Sequence, residues 1–428
     1  MTANLEYGSI EQIERQQLER LRALLSFLKN DSSNEFYQAK LSQIEPTQIQ
    51  SMADLAKIPF TLKSELVAEQ NNYPPYGRNL SYPVSNYVKL HQTSGTTGHP
   101  LKVLDTPQSW DWWAQCWTRV YQGAGVTSAD RIFMAFSFGP FIGFWAAYEG
   151  ARQLGALAIP GGGMDSEQRI AAILENQATV LCCTPSYALH LAEVAAHKNI
   201  NLAASSVRVL VLAGEPGASI PAVRQRIEQA WGATCHDHAG ATEVGAYGYS
   251  CQYQNGLHIN EAEFIVEILD PATGLPATPG QPGEMVITNL GRWGYPVIRY
   301  RTSDIVKQAK AACPCGRGFK LLEGGVIGRT DSMIIVRGIN IFPSSVEAII
   351  REVVEVNEFR LTFYREQDMD EMAIEVELED QDSHKIGHLT ALFRQRLALR
   401  IPVQAVAPGT LPRFQLKAKR VIDNRPKV

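Results

Sequence analysis

The chain has 428 residues, 45% of them hydrophobic and 20% charged, with a formal net charge of −4. That length exceeds what one hydrophobic core usually serves, so two domains are expected, and the slightly acidic balance offers no electrostatic case for nucleic acid. The N-terminus is too charged and amphipathic for a signal peptide, no apolar run reaches membrane-spanning length, and the seven cysteines, two of them adjacent at Cys182 and Cys183, make no disulfide framework; the expectation is cytoplasmic small-molecule chemistry, with no nucleic acid or membrane as partner.

Ser9 and Gln12 stand at capping-box spacing, and Ile10, Ile13, Leu21, Leu24, Leu25 and Leu28 recur at helical period, which predicts a packed N-terminal helix. Residues 93–100, TSGTTGHP, read as a phosphate-holding loop without the lysine of GxxxxGK[ST]. Gly95 and Gly98 permit close backbone approach, while Thr93, Ser94, Thr96 and Thr97 set hydroxyls beside successive N–H groups. Such a loop suits a pyrophosphate whose charge is compensated from elsewhere; the bland alternative is a flexible turn.

From about residue 130 to 245, apolar runs (RIFMAFSF, ALAIPGG, TVLCCTP, VRVLVLAGE) alternate with helical stretches (SEQRIAAILENQ, IPAVRQRIEQAWG). That alternation predicts a parallel α/β sheet. Short alternating strands around the turn-rich DPATGLPATPGQPGE then predict a β-rich subdomain between 257 and 306. After GRTDSMIIVRGINIFP, a helix with Ser344 and Glu347 as a second capping box, two strands, a helix near 384–397 and a final strand form a small α+β unit. The expected division is an N-terminal domain at 1–328 and a mobile C-terminal domain at 329–428.

TSGTTGHP, AGEP at 213–216, GATEVG at 240–245, RYRTSD at 299–304, GRTD at 328–331 and LPRFQLKAKRVIDNR at 411–425 occur in an order and spacing that resemble the adenylate-forming acyl-CoA synthetases. YRTSD, RGINIFP and LKAKRVIDNR bring the resemblance closest to the short phenylacetate-CoA ligase branch, and it covers nearly the whole chain. It implies a ligase that adenylates a carboxylic acid with ATP, an aryl or arylacetic acid in this branch, and passes the acyl group to coenzyme A with release of AMP and pyrophosphate. It also implies roles. Glu243 would hold magnesium, with Thr242 a hydroxyl donor to phosphate; Asp304 would accept both ribose hydroxyls, as suits an acceptor-only carboxylate; Arg329 would be a second ribose or phosphate contact. Ala213, Gly214, Glu215 and Pro216, with His238, Ala239 and Gly240, would flank the nucleotide. Lys417 would bridge the acid and the α-phosphate, Asp331 would be the hinge, and Arg337 and Gly338 would line the coenzyme A channel. Leu416 stands where the branch has glycine, and Ala239 stands where it has an aromatic residue stacked on adenine.

Phe136, Phe138 and Phe141 lie where the family lines its acid pocket; ordinary core packing explains such clusters equally well. His236 and His238 are read as core or pocket histidines. Cys251, His258, Cys313 and Cys315 offer three thiolates and an imidazole, a closed tetrahedral zinc set of the structural kind. Their C-x-C step is shorter than the usual knuckle, and the resemblance to short members of the branch favours the metal over free thiols in a loop. Loading of a carrier-protein thiol, AMP transfer to a deazaflavin and a silent zinc-stabilised binding protein are the alternatives, and a homodimer stays open.

Overall fold

The computed structural model describes residues 5–93, 100–337, 339–366, 369–378, 383–397, 399–414 and 418–425, with only the backbone of Asp331, Asn340 and Ser383. Helix α1 (Ile10–Asn30) starts in the expected box: Ser9 Oγ accepts from Gln12 N, and Gln12 Oε1 accepts from Ser9 N. Ile13, Leu21, Leu24, Leu25 and Leu28 are buried, whereas Ile10, at 64% exposed, falls outside the stripe because the first turn faces solvent. Buried Gln17 donates from Nε2 to the carbonyls of Glu261 and Phe264, which fastens α1 to the sheet. Helices α2 (Glu35–Lys40) and α3 (Lys63–Asn72) follow. Strands β1 (Lys89–Gln92) and β2 (Lys102–Asp105) pair antiparallel and bracket the 93–100 loop.

Helix α4 (Pro107–Gly123) is capped by Thr106, whose side chain accepts from Ser109 N, with proline in its first turn. The predicted alternation then appears as β3 (Arg131–Met134), α5 (Ile142–Leu154), β4 (Leu157–Pro160), α6 (Ser166–Glu175), β5 (Val180–Cys183), α7 (Pro185–His197), β6 (Val209–Ala213), α8 (Pro221–Trp231) and β7 (Thr234–Ala241). These strands pair in parallel. At β7 the sheet turns antiparallel through β8 (Gly245–Tyr249) and β9 (Leu257–Ile259), then β13 (Leu321–Arg329), β12 (Tyr300–Gln308), β11 (Pro282–Asn289) and β10 (Phe264–Leu269). The β-rich segment is thus continuous with the parallel sheet, in one order of eleven strands.

Two cores cover the parallel part: one around Trp113, Trp117 and Tyr121 of α4, the other around Tyr187 of α7 and Trp231 of α8. The C-terminal unit has its own core. It begins with the hairpin β14 (Ile334–Val336) and β15 (Ile339–Ile341), then α9 (Pro343–Ile350). Strands β16 (Phe359–Glu366), β17 (Met369–Glu377), β18 (Val403–Val406) and β19 (Val421–Asp423) form a sheet in the order β18-β17-β16-β19, with α10 (Ser383–Leu397) before β18. The expected Ser344–Glu347 box is absent there. Pro343 takes the first helical position with Phe342 as cap, so Ser344 lies inside the turn and donates to Ile327 O, while Glu347 pairs with Arg420.

Helices α4 and α5 pack closely because Gly150 has no side chain: a Cβ there would lie 2.4 Å from Trp117 Cβ. Gly150→Ala is therefore expected to cost about 1–3 kcal/mol through overpacking. Urea unfolding checks it, and an unchanged midpoint would mean that the helices separate freely.

Candidate active-site cleft and a cysteine–histidine cluster

A cleft of about 620 Å³ opens at the carboxyl ends of β6 and β7. Gly214, Glu215, Pro216, Asp237, His238, Ala239 and Gly240 line it from the parallel sheet, Asp304 and Arg329 from the antiparallel part, and Ala418 and Arg420 from the C-terminal unit. Ala213 ends β6, and Gly214 follows with φ +94°, a backbone turn that favours glycine. The Glu215 carboxylate accepts from Ser186 N at 2.8 Å and from Ala418 N at 2.9 Å, so it joins the two domains. Asp304 and Arg329 stand opposite each other in the β12–β13 register, with Arg329 Nη1 donating to Asp304 Oδ1 at 2.6 Å. Tyr247 OH donates to the other carboxylate oxygen at 3.4 Å. Tyr247 also puts an aromatic ring in the cleft wall that Ala239 leaves without one.

Thr242 and Glu243 form the turn from β7 to β8, and Glu243 is only 5% exposed, not a solvated helix end. Its Oε1 accepts from Tyr300 OH at 3.3 Å and pairs with Lys63 Nζ at 3.0 Å. The carbonyls of Thr242 and Glu243 both accept from Arg292 Nη1, at 2.8 and 3.2 Å. Arg292 in turn holds both Asp105 oxygens at 2.7 Å, in a pair with no exposed side-chain surface. Asp105 ends β2, so this pair ties the strand beyond the 93–100 loop to the Glu243 turn. Lys63, Asp105 and Arg292 escaped sequence reasoning, because ordinary charged residues bear no mark of partners up to 187 positions away.

Other predicted residues fall outside the cleft lining or outside the described residues. Thr93 exchanges hydrogen bonds with Leu101, its N donating to Leu101 O and its Oγ1 accepting from Leu101 N, both at 3.0 Å. Ser94, Gly95, Thr96, Thr97, Gly98, Gly338 and Lys417 lie outside the described residues. Asp331 lies in the single 3-10 turn Thr330–Ser332 directly after β13. Arg337, at φ +48°, donates from Nε to Glu371 at 2.6 Å on an exposed surface. Phe136 stacks on Phe144 at 3.6 Å and Phe138 lies tilted against Trp145 at 4.8 Å; with Phe141 they fall outside the lining of this cleft. Burial lowers both His236 and His238 to about 4, which keeps them neutral near pH 7.

The four predicted metal ligands converge. Their donor atoms all lie within 4.8 Å of one another, with Cys251 Sγ 3.6 Å from Cys313 Sγ and Cys315 Sγ 3.3 Å from His258 Nε2. No disulfide joins them. His258 Nδ1 lies 3.3 Å from Phe319 O, which assigns the proton to Nδ1 and turns the Nε2 lone pair toward the thiols.

Residues 22–291 match the family described as AMP-binding enzyme, and residues 338–425 match the AMP-binding enzyme C-terminal domain. The phenylacetate-coenzyme A ligase of Pseudomonas putida is 31% identical over 435 residues, covering 98% of this chain and 96% of that protein. Among solved structures, 2-hydroxyisobutyryl-CoA ligase in the postadenylation state with R3-HIB-AMP superposes with a TM-score of 0.91 at 29% identity, over 98% of this chain and 91% of that one. The same ligase with 2-HIB-AMP and CoA in the thioesterification state gives 0.74 at 30% identity, over the same shares. This chain belongs to the AMP-binding enzyme family.

The buried pair yields a prediction. Asp105→Asn strands the Arg292 charge and is expected to cost about 3–5 kcal/mol. Asp105→Leu with Arg292→Met should recover most of that stability while AMP binding stays weakened, since the turn carbonyls have lost their donor. Urea unfolding and AMP titration measure the two effects; full AMP affinity in the double variant would confine the pair to stability.

Proposed function

We propose that this chain is an ATP-dependent, AMP-forming acid:CoA ligase. The observation that carries the reading is one cleft that gathers the Asp304–Arg329 pair, the 214–216 segment and, from the C-terminal unit, Ala418 beside Lys417. In the first half-reaction a carboxylate oxygen bonds to the α-phosphorus of ATP and pyrophosphate leaves; in the second the thiol of coenzyme A attacks the acyl carbon and AMP leaves. Asp304 accepts the ribose hydroxyls and Arg329 holds it in place. Glu243 is the acidic group at the phosphate end, and it fits a magnesium ion, which commonly takes one or two carboxylates and completes its shell with phosphate and water. When bound, that ion neutralises charge on the transferring phosphoryl group. Lys63 adds a fixed cation beside Glu243, a source for the charge that the lysine-free loop lacks.

The acid is read as aryl or arylacetic, supported by the names of the relatives, phenylacetate-coenzyme A ligases, and by the aromatic cluster of Phe136, Phe138, Phe144 and Trp145. We place the domain boundary at 328/329, where β13 gives way to the Asp331 turn. The higher likeness to the postadenylation state supports a C-terminal unit set for acyl-adenylate chemistry. Rotation at Asp331 would then withdraw Lys417 and bring Arg337 and Gly338 to the pantetheine channel. Because the Lys417 charge acts only while two anions meet, Lys417→Ala is expected to lower acyl-adenylate formation at least about a hundredfold and to spare thioester formation from supplied acyl-adenylate. Separate assays of pyrophosphate release and thioester yield check it; equal losses would remove Lys417 from this role.

Cys251, His258, Cys313 and Cys315 are assigned a structural zinc. Bonds of about 2.3 Å to thiolate sulfur in a tetrahedron put sulfurs about 3.8 Å apart, near the Cys251–Cys313 spacing of 3.6 Å. Four protein ligands leave no open position for water or substrate. Purified protein is therefore expected to hold about one zinc per chain, and Cys313→Ser to lose metal and thermal stability while its folded fraction keeps its acid preference. Metal analysis decides it: fully active protein with less than about a tenth of a zinc per chain sinks the assignment.

A further inference from the structure

The resemblance sets His238 beside the nucleotide, and the residue lines the cleft, yet none of the nucleotide steps above uses its side chain. Neighbouring side chains of β7 separate to the two faces of the sheet. Asp237 turns to Ser219, whose hydroxyl donates to it, on the α8 side. His238 turns the other way and packs on Trp117 of α4, ring centres 4.2 Å apart. That is the side of α5 and of the Phe136–Phe138 rings. One residue beyond Ala239, Gly240 leads into the Thr242–Glu243 turn, and a Cβ on Gly240 would lie 3.2 Å from His238 Nε2. Gly240 is not a positive-φ glycine; a Cβ there would also lie 3.0 Å from Gly245 O, so the missing side chain lets the chain run close to the ring and is not demanded by the backbone dihedral. On the ligase reading, an acyl group joined to a phosphate held by the Thr242–Glu243 turn would lie along Gly240 and Ala241, which line the cleft.

The hydrogen bonding of the ring is settled by its neighbour. His238 Nδ1 lies 2.7 Å from Gly248 O, a carbonyl that can only accept, so Nδ1 carries the proton and Nε2 is left with a lone pair. Burial keeps the imidazole neutral, which preserves that lone pair. His238 itself, buried to 7% exposure, and Gly240 beside its Nε2 both line the cleft. A hydrocarbon acid would strip water from this acceptor and give nothing back.

We infer that His238 is a specificity-determining residue: its Nε2 accepts a hydrogen bond from the acyl portion of the substrate, so the preferred acid carries a hydroxyl or amine donor. This rests on the ligase reading above. It narrows the acid from any aryl or arylacetic skeleton to one that bears a donor.

The test measures pyrophosphate release with matched acids that share a carbon skeleton and differ in one group: phenylacetate against 4-hydroxyphenylacetate, 2-aminophenylacetate and mandelate, and propionate against lactate. At least one donor-bearing acid is expected to exceed its plain partner by about tenfold or more in kcat/KM. His238→Leu should bring that ratio to about one, whereas His238→Gln, which keeps an acceptor, should retain part of it. Both acids of a pair are measured on the same preparation, so partial unfolding cancels, and the wild-type ratio decides even where a variant fails to fold. Plain acids equal to or better than all their donor-bearing partners, or a ratio that survives His238→Leu, overturn the role of His238 and leave the ligase standing. No pyrophosphate release with any acid overturns the ligase reading, and this inference with it.

Discussion

The Asp105–Arg292 pair is the interaction on which the placement of the Thr242–Glu243 turn, next to cleft-lining Ala241, depends. Two charges without solvent contact are costly to desolvate, and a bidentate bond with further acceptors on Arg292 is the arrangement that offsets the cost. The further acceptors are the carbonyls of Thr242 and Glu243. One guanidinium therefore fixes the end of β2 and the turn that carries Glu243 relative to each other. A hydrophobic substitute of equal volume would pack as well, but it would not choose the direction of two carbonyl groups. Gly245 completes the constraint, because at φ +141° and with Phe264 and Trp112 where a Cβ would stand, no other residue lets the chain leave the turn along β8.

Most of the architecture was legible in the sequence, for reasons that differ along the chain. The parallel strands announced themselves as short apolar runs because both faces of β5 and β6 are covered, by α4 and α5 on one side and α7 and α8 on the other. The Ser9 box was legible because its partners are three residues apart. The Ser344 box failed for the converse reason: a proline one residue earlier captured the helix start, and Glu347 answered to Arg420, 73 residues away. Continuity of the antiparallel strands with the parallel sheet was illegible, since it depends on β13 pairing with β9 across more than sixty residues.

The same division holds in the site. Asp304, Arg329 and the 214–216 segment carry motif spacing, and they meet in the cleft. Lys63 carries none; its value lies in a 3.0 Å approach to Glu243 that only the packing of α3 against β12 creates. The resemblance sets Phe136, Phe138 and Phe141 in an acid pocket with core packing as an equal reading; Phe136 stacks on Phe144 and meets Phe138 edge-on, and Phe138 lies tilted against Trp145, contacts that sequence spacing does not reveal. Residue type states what a side chain can bind, and only tertiary direction states what it faces.

The cysteine–histidine cluster and the cleft sit on the same strands, which gives the cluster a consequence at a distance. His258 of β9 pairs with Leu321 at the start of β13, and Tyr249 at the end of β8 pairs with His258. Arg329 ends that same β13, and Tyr247 lies two residues before Tyr249 on β8; both reach Asp304. A slip of one residue between strands sends every side chain to the opposite face. A metal ion that joined Cys251, beyond β8, and His258, on β9, to Cys313 and Cys315, before β13, would therefore set the register at one end of these strands. Arg329 and Tyr247 then meet the same carboxylate at the other end. Residues with no place in the cleft thus bear on it through strand register, because the strands that carry the cluster also carry Arg329 and Tyr247 to Asp304.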